Sequence, residues 1–300
     1  MVQHSGNFSE LVDFDPVLTE IFFQKYAQIP QILLPTIYAQ RESRKAKETD
    51  MRIGSFPDPQ PWDGHVFYDD AERDSKIEYV HGHLTLGFKV DIEMREDMQY
   101  DGIFDRAANL GQSFARKIVK DESSPFNNAF SSSYPGYDSK ALCATDHPRS
   151  ETDATAVSNY LGAKALTSAN LEDAIIQLES LGDDRGEETN AMANVLLVGR
   201  QQRKTALELT SSELTPESAN NAINVHNDLQ TLVHPMISGK KWFVMDREMA
   251  RMVLKWYWRV RTSFGVDDDK SNTLMRSYFG RNRYSYGWSD FRFVVGSNPA

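Results

Sequence analysis

Residues 56–64 read Phe-Pro-Asp-Pro-Gln-Pro-Trp-Asp-Gly, with three prolines, a tryptophan and a glycine in nine positions. Proline fixes φ and has no amide hydrogen, so this stretch suits neither a helix interior nor the middle of a sheet. Tyr68-Asp69-Asp70 and Arg73-Asp74 follow with almost no core-forming pattern. Residues 77–93 then alternate in β fashion, with Leu84, Leu86, Phe88, Val90 and Ile92 on one parity. The pattern predicts a long projecting loop or hairpin that returns through a well-formed strand. A structureless insertion of this size inside a compact domain is unusual and tends to be functional.

On either side the chain reads as mixed helix and strand. Asp15-Pro16 is a good helix start, with Asp15 as N-cap and Pro16 at the first helical position, and Leu18, Ile21, Phe22 and Tyr26 fall near one face. Pro30 and Pro35 stop regular structure, and the polar residues 40–50 read as a solvated connector. This arm has apolar groups but too little chain to bury them alone, so it is expected to lie on something else. The clearest helix spans 97–122, with Phe104, Ala107, Ala108, Gly111, Phe114, Ala115 and Ile118 at helical spacing. A second helix is expected at 168–181, where Leu171, Ala174, Ile175, Leu178 and Leu181 define its buried face. Asn194–Val198 reads as a fully buried strand, followed by a helix at 200–210. Short strands are expected at 230–233 and 242–245, and β structure over 276–296. No repeat of 20–50 residues appears.

Three hundred residues suffice for one large or two moderate domains. The net charge of −10 is unevenly spread. The first two hundred residues are net acidic and the last hundred carry 14 basic against 10 acidic groups. Surfaces of opposite sign suit self-association, and the acidic balance argues against a dedicated nucleic-acid binder. No run approaches the ~18 apolar residues of a membrane span, and the opening residues lack a secretory signal pattern, so a protein folded in cytoplasm is expected. One cysteine, Cys143, excludes a disulfide framework within the chain.

Candidate chemistry is sparse. His81 and His83 flank Gly82, and Cys143, Asp146 and His147 lie within five residues, but no zinc spacing is present and Asp-His-Pro is a common turn. Asp267, Asp268 and Asp269 lack the alternating ligands, glycine and terminal glutamate of a calcium loop. Gly239-Lys240 lacks the upstream glycine of a phosphate loop, where His234 stands instead. A Cys143–His147 dyad would sit in a polar loop region rather than at a rigid elbow. The expectation is no catalytic residue, no metal and no cofactor. Cations interleave with rings in Lys255-Trp256-Tyr257-Trp258-Arg259 and in 281–288. Such groups can stack bases and hold phosphates, which makes a nucleic-acid-binding protein using the 255–292 surface the alternative reading. Sheet residues with one face in the core and arginines toward an acidic neighbour explain the same pattern, and the acidity favours them.

The order of arm, projecting hairpin, spine helix and α+β remainder resembles the major capsid protein of tailed bacteriophages, the Hong Kong 97-type fold. Gly87-Phe88-Lys89-Val90-Asp91-Ile92 followed by Arg95-Glu96-Asp97 is similar to that family's strand running into the spine helix. Phe126-Asn127-Asn128-Ala129-Phe130, Leu142-Cys143 with His147-Pro148, the helix at 168–186 ending in Gly-Asp-Asp-Arg-Gly, and the strand 194–199 also fit. So do residues 218–224 and the closing 287–297, which resemble phage head subunits including Mu-like ones. Asp138-Ser139 and Gly199-Arg200 depart from the pattern at loop positions.

The resemblance implies an arm (1–50), an extended loop and return strand (51–95), a peripheral domain with the spine helix (96–140), an axial domain (141–255) and strands returning to the peripheral domain (256–300). It implies hexamers and pentamers tiling an icosahedral shell around double-stranded DNA, in a virion assembled in the host bacterial cytoplasm. Implied partners are other copies of the chain, a portal protein at one vertex, a possible decoration protein and weakly held DNA, with no membrane. A separate scaffolding protein is expected, because about fifty residues precede the loop. Trp62 is expected to pack on a neighbouring subunit. Asp69, Asp70, Glu72 and Asp74 are expected to meet basic residues of another chain, with Arg276, Arg281 and Arg283 as candidates.

Overall fold

The computed structural model describes residues 14–69, 73–91, 93, 100–212, 223–268 and 275–299. In chain order the described elements begin with helix α1 (Phe14–Ala27) and strands β1 (Ala39–Glu42), β2 (Lys47–Ile53), β3 (Arg73–Val80) and β4 (Gly82–Asp91). Helices α2 (Tyr100–Glu122) and α3 (Ser124–Asn127), strands β5 (His147–Pro148) and β6 (Ala156–Val157), and helix α4 (Ser168–Glu179) follow. The chain continues through β7 (Val195–Gly199), α5 (Arg203–Thr210), β8 (Gln230–His234), β9 (Trp242–Met245) and α6 (Arg247–Val253). It closes with β10 (Leu254–Asp268), β11 (Met275–Trp288) and β12 (Val294–Ser297). Ile92, the expected helix start at 97–99, Asp269 and most of the 218–224 motif lie outside the described residues.

The chain divides into two compact units, to both of which β10 and β11 contribute. Unit one comprises residues 1–31, 81–120 and 258–285. Its sheet pairs β11 antiparallel with β4, from Met275 opposite Asp91 to Tyr284 opposite Gly82. The register puts Phe88 against Tyr278 and Val90 against Arg276, so one face carries the ring stack of Phe88 and Tyr278. Against it lies α2, which buries Ile103, Ala107, Leu110, Phe114 and Ala115. These positions follow the three- and four-residue spacing of one helix face, so this stripe leaves water as a unit. Phe104, expected on that face, sits at its half-buried edge.

The arm's apolar face finds its partner within unit one. Leu18 packs with Val90, Ile103 and Ala107, while Phe22 packs with Leu110 and Phe114. Gly111 permits this approach, because a Cβ there would come 2.3 Å from the Phe22 carbonyl oxygen. Asp15 does not act as the expected cap. It lies inside the first turn of α1, where its carboxylate is engaged by Arg276 and the Tyr278 hydroxyl.

Unit two comprises residues 32–80, 121–257 and 286–300. Its sheet runs β12-β9-β7-β8, antiparallel except for the parallel pair β7 and β8. Val195–Val198 and Trp242–Met245 are buried throughout, the continuous apolar pattern of a sheet covered on both faces. Leu171, Ala174 and Leu178 of α4 close over Leu196, Val198, Trp242 and Val244. Thr167 caps α4 by accepting the Asn170 amide, and the Asp246 carboxylate caps α6 by accepting the Glu248 and Met249 amides.

Two corrections concern local structure. Residues 40–50 are not a free connector, since they supply β1 and most of β2, and β2 pairs antiparallel with β3 from Lys47 opposite Val80. Their polar side chains suit a strand whose faces are wet, a pattern that hydrophobic alternation misses. The return strand is also two strands, β3 and β4, parted at His81, and Leu86 is exposed although Val90, on the same parity, is buried.

Candidate intersubunit surfaces

Strands β2 and β3 form a hairpin of unit two whose connection, residues 54–72, begins with the proline-rich segment. The loop's two ends are held by the turn after α4. Ser55 donates its amide to both carboxylate oxygens of Asp184 at 3.1 Å, and its hydroxyl to Asp183 at 2.6 Å. The Arg185 Nε donates to the Ser55 carbonyl at 2.8 Å, and its guanidinium pairs with Asp69. The turn itself is ordered by the Asp183 carboxylate, which accepts the Arg185 and Glu187 amides. Between these clamps the chain exposes its apolar groups. Phe56 is 71% exposed, Trp62 74% and Tyr68 86%, and Val66 and Phe67 are exposed with them. A contiguous apolar surface of this kind is uncommon on a chain that works alone.

The segment entering the hairpin is anchored by a buried carboxylate. Glu122, at the end of α2, accepts the Ile32 amide at 3.1 Å, the Leu34 amide at 2.8 Å and the His234 Nε2–H at 3.0 Å. His234 accepts the Met236 amide on Nδ1, so its one ring proton lies on Nε2. Tyr38 donates to the Glu122 carbonyl at 2.8 Å. Its phenol is held protonated, first by burial and then by the neighbouring Glu122 charge.

The residues singled out in the sequence fall in different places. Trp62 is at the exposed loop and Asp69 is paired within the chain to Arg185. Asp70 and Glu72 lie outside the described residues, as does the side chain of Asp74 in β3. Arg276 pairs with Asp15 and lies over the Tyr278 ring. Arg281 and Arg283 share the opposite parity of β11, across from Thr85 and His83. Among the described residues neither guanidinium has a hydrogen-bond or ion-pair partner, and the Arg283 Nε is buried. Sequence reasoning missed Arg185 and Ser55, although the Gly-Asp-Asp-Arg-Gly turn was visible, because a polar turn does not announce what it holds.

The discounted pair of Cys143 and His147 proves to be interior structure. Cys143 is buried, not set in a polar loop surface, and burial pushes its thiol well above the usual range. His147 is likewise buried, between Asp138 on Nδ1 and Asn159 on Nε2. Asn159 fixes the geometry, donating its amide to the Leu142, Phe291 and Val294 carbonyls while its oxygen accepts the Ala144 amide at 2.9 Å. His147 therefore donates from Nε2 to the same oxygen, at 3.1 Å. His81 is buried against the Ser285 hydroxyl, whereas His83 is exposed, so the two share no site. Among the described residues no group of three or more potential ligands could hold a metal ion. Among the same residues no helix is long and apolar enough to cross a membrane.

Comparison with known proteins gives these surfaces their setting. No curated protein sequence matches the chain. The structure is similar to the capsid of Ralstonia phage GP4, with a TM-score of 0.56, 10% identity, and 88% of this chain and 87% of that one covered. It is similar to a chain of Microbacterium phage Oxtober96, with a TM-score of 0.54, 12% identity, and 88% and 90% covered. It is also similar to the virus-like particle from Pyrococcus furiosus, with a TM-score of 0.55, 14% identity, and 96% and 100% covered. These likenesses show the Hong Kong 97-type capsid fold. A family model described as phage capsid protein matches residues 80–297, more than half of the sequence, and the chain belongs to that family.

Proposed function

We propose that this capsid subunit uses the 54–69 loop as a clamp between neighbouring copies in the shell. The exposed apolar cluster around Trp62, on a loop whose ends are tied down, carries the reading. Ordering the ends in advance lowers the entropy lost when the loop docks. An aromatic anchor then supplies much of the interface energy. The acidic residues Asp69, Asp70, Glu72 and Asp74 and the basic Arg276, Arg281 and Arg283 are the candidate charge contacts. Asp69 and Arg276 already have partners in their own chain, so Arg281 and Arg283 are the cations left for an acidic neighbour. Exposed charge contacts of this kind weaken as salt rises.

Hexamers and pentamers in an icosahedral head complete the proposal, with arm 1–50, loop 51–95, peripheral 96–140, axial 141–255 and returning strands 256–300 as its domains. A separate scaffolding protein, a portal, a possible decoration protein and weak contact with packaged DNA are its partners, and assembly takes place in the host cytoplasm. The subunit is proposed to have no catalytic activity, which agrees with the interior placement of Cys143 and His147. The test is Trp62→Ala. A folded, unassembled protein by sedimentation supports the clamp, and normal shells overturn it.

A further inference from the structure

Unit two also holds an open groove of 540 Å³ walled by Tyr79, Tyr134, Tyr137, Tyr286, Trp288 and Pro135. Its walls are fixed. The Tyr286 hydroxyl bonds to Ser124, and Trp288 lies so close over Gly136 that a Cβ there would come 2.7 Å from the indole Nε1. Yet donors remain unused. Among the described residues neither the Trp288 Nε1–H nor the hydroxyl of the exposed Tyr134 has an acceptor. A preformed aromatic groove with free N–H and O–H donors is the kind of site that recognises polyproline II peptides.

The same chain carries such a peptide. In Phe-Pro-Asp-Pro-Gln-Pro-Trp, residues 56–62, every second residue is proline. Each proline has φ near −65°, and each residue before a proline is pushed to extended conformation. The segment is therefore biased to polyproline II before it binds, which keeps its ordering cost low. It has carbonyl acceptors but no amide hydrogen at 57, 59 or 61, the complement of a groove that offers donors. It forms no helix or strand, and its two end residues, Phe56 and Trp62, are exposed.

We propose that the groove takes residues 56–62 of a second copy of the chain as a polyproline II ligand. This rests on the clamp reading of the loop and names its receptor. Within one chain the segment is exposed while the groove stands open, so the chain does not fill its own site. A capsid subunit meets other copies, which supply the occupant. Groove and segment are different patches, so the contact is heterologous and propagates around a ring.

The test uses full-length Trp62→Ala protein as receptor and a fluorescent peptide of residues 54–64 as probe, read by anisotropy. Saturable binding is expected. It should weaken at least tenfold when receptor Tyr134 is changed to alanine, when Trp288 is changed to phenylalanine, or when the peptide's three prolines become alanine. Tyr134 is exposed, so its variant reports on the groove even where Trp288→Phe disturbs folding. No saturable binding, or binding indifferent to Tyr134→Ala, overturns the groove. If Trp62→Ala abolishes shells while Tyr134→Ala leaves both shells and peptide binding intact, the clamp stands and the groove assignment fails. Normal shells from Trp62→Ala overturn the clamp and the groove together.

Discussion

Glu122 and His147 show how single polar side chains hold loops in place. Each is buried with its oxygens or nitrogens committed, Glu122 to Ile32, Leu34 and His234 far along the chain and His147 to the nearer Asp138 and Asn159. Glu122→Gln keeps the shape but sets an amide N–H₂ group against donors. Leaving such a buried donor unsatisfied should cost about 1–3 kcal/mol, read as a lower urea midpoint. His147→Ala strands the buried Asp138 carboxylate and should cost about 3 kcal/mol or more. Replacing Cys143 and His147 together should therefore lower particle yield through stability, with no enzymatic activity lost. Cys143 itself should resist a thiol reagent at pH 8 until the protein unfolds, because burial disfavours its thiolate. Rapid labelling of the native protein would show the site is open. None of these networks was legible in the sequence, since isolated Glu, His and Asn residues carry no pattern that reveals a buried partner ninety residues away.

At the scale of elements the sequence was more informative. The spine helix, α4, β7 and β9 follow from spacing, because their side chains face a core at a fixed period, and the loop between β2 and β3 follows from proline placement. Strands β1 and β2 were hidden by polar composition. Strand β10 was visible only as an alternation of cations and rings, whose meaning depends on which face is buried. The packing of α1 on α2 rests on Gly111, so Gly111→Ala should push the helices apart and cost about 1–3 kcal/mol. Phe114→Ala should cost about 3–5 kcal/mol, since the ring is buried against Phe22. An unchanged thermal midpoint in either variant would show that this interface is misassigned. The loop clamp makes a separate prediction. Arg185→Ala removes the partner of Asp69 and a donor to Ser55, so protease cleavage between 55 and 69 should quicken while the melting temperature barely moves. Cleavage at the original rate would mean the turn does not hold the loop.

The whole molecule combines an acidic balance with protonated groups kept from water. Burial raises the proton affinity of Cys143, Tyr38 and Tyr79 in the native state. The unfolded chain releases those protons near their ordinary values, about 8.5 for Cys and 10 for Tyr. Stability from these groups is therefore complete below about pH 8.5 and declines as pH rises past those values. Urea midpoints at pH 7, 9 and 10.5 should fall in that order, and a flat series would contradict the burial of all three. On the clamp proposal, assembly depends on a tethered loop that exposes Phe56, Trp62, Val66, Phe67 and Tyr68. The most direct measurement replaces residues 56–68 by a short Gly-Ser linker, which leaves Ser55, Asp69 and strand β3 in place, and follows both folding, by circular dichroism and thermal melting, and particles, by negative-stain microscopy. The account predicts a folded subunit with near-normal melting that forms no regular shell. Normal shells from the shortened chain would contradict it.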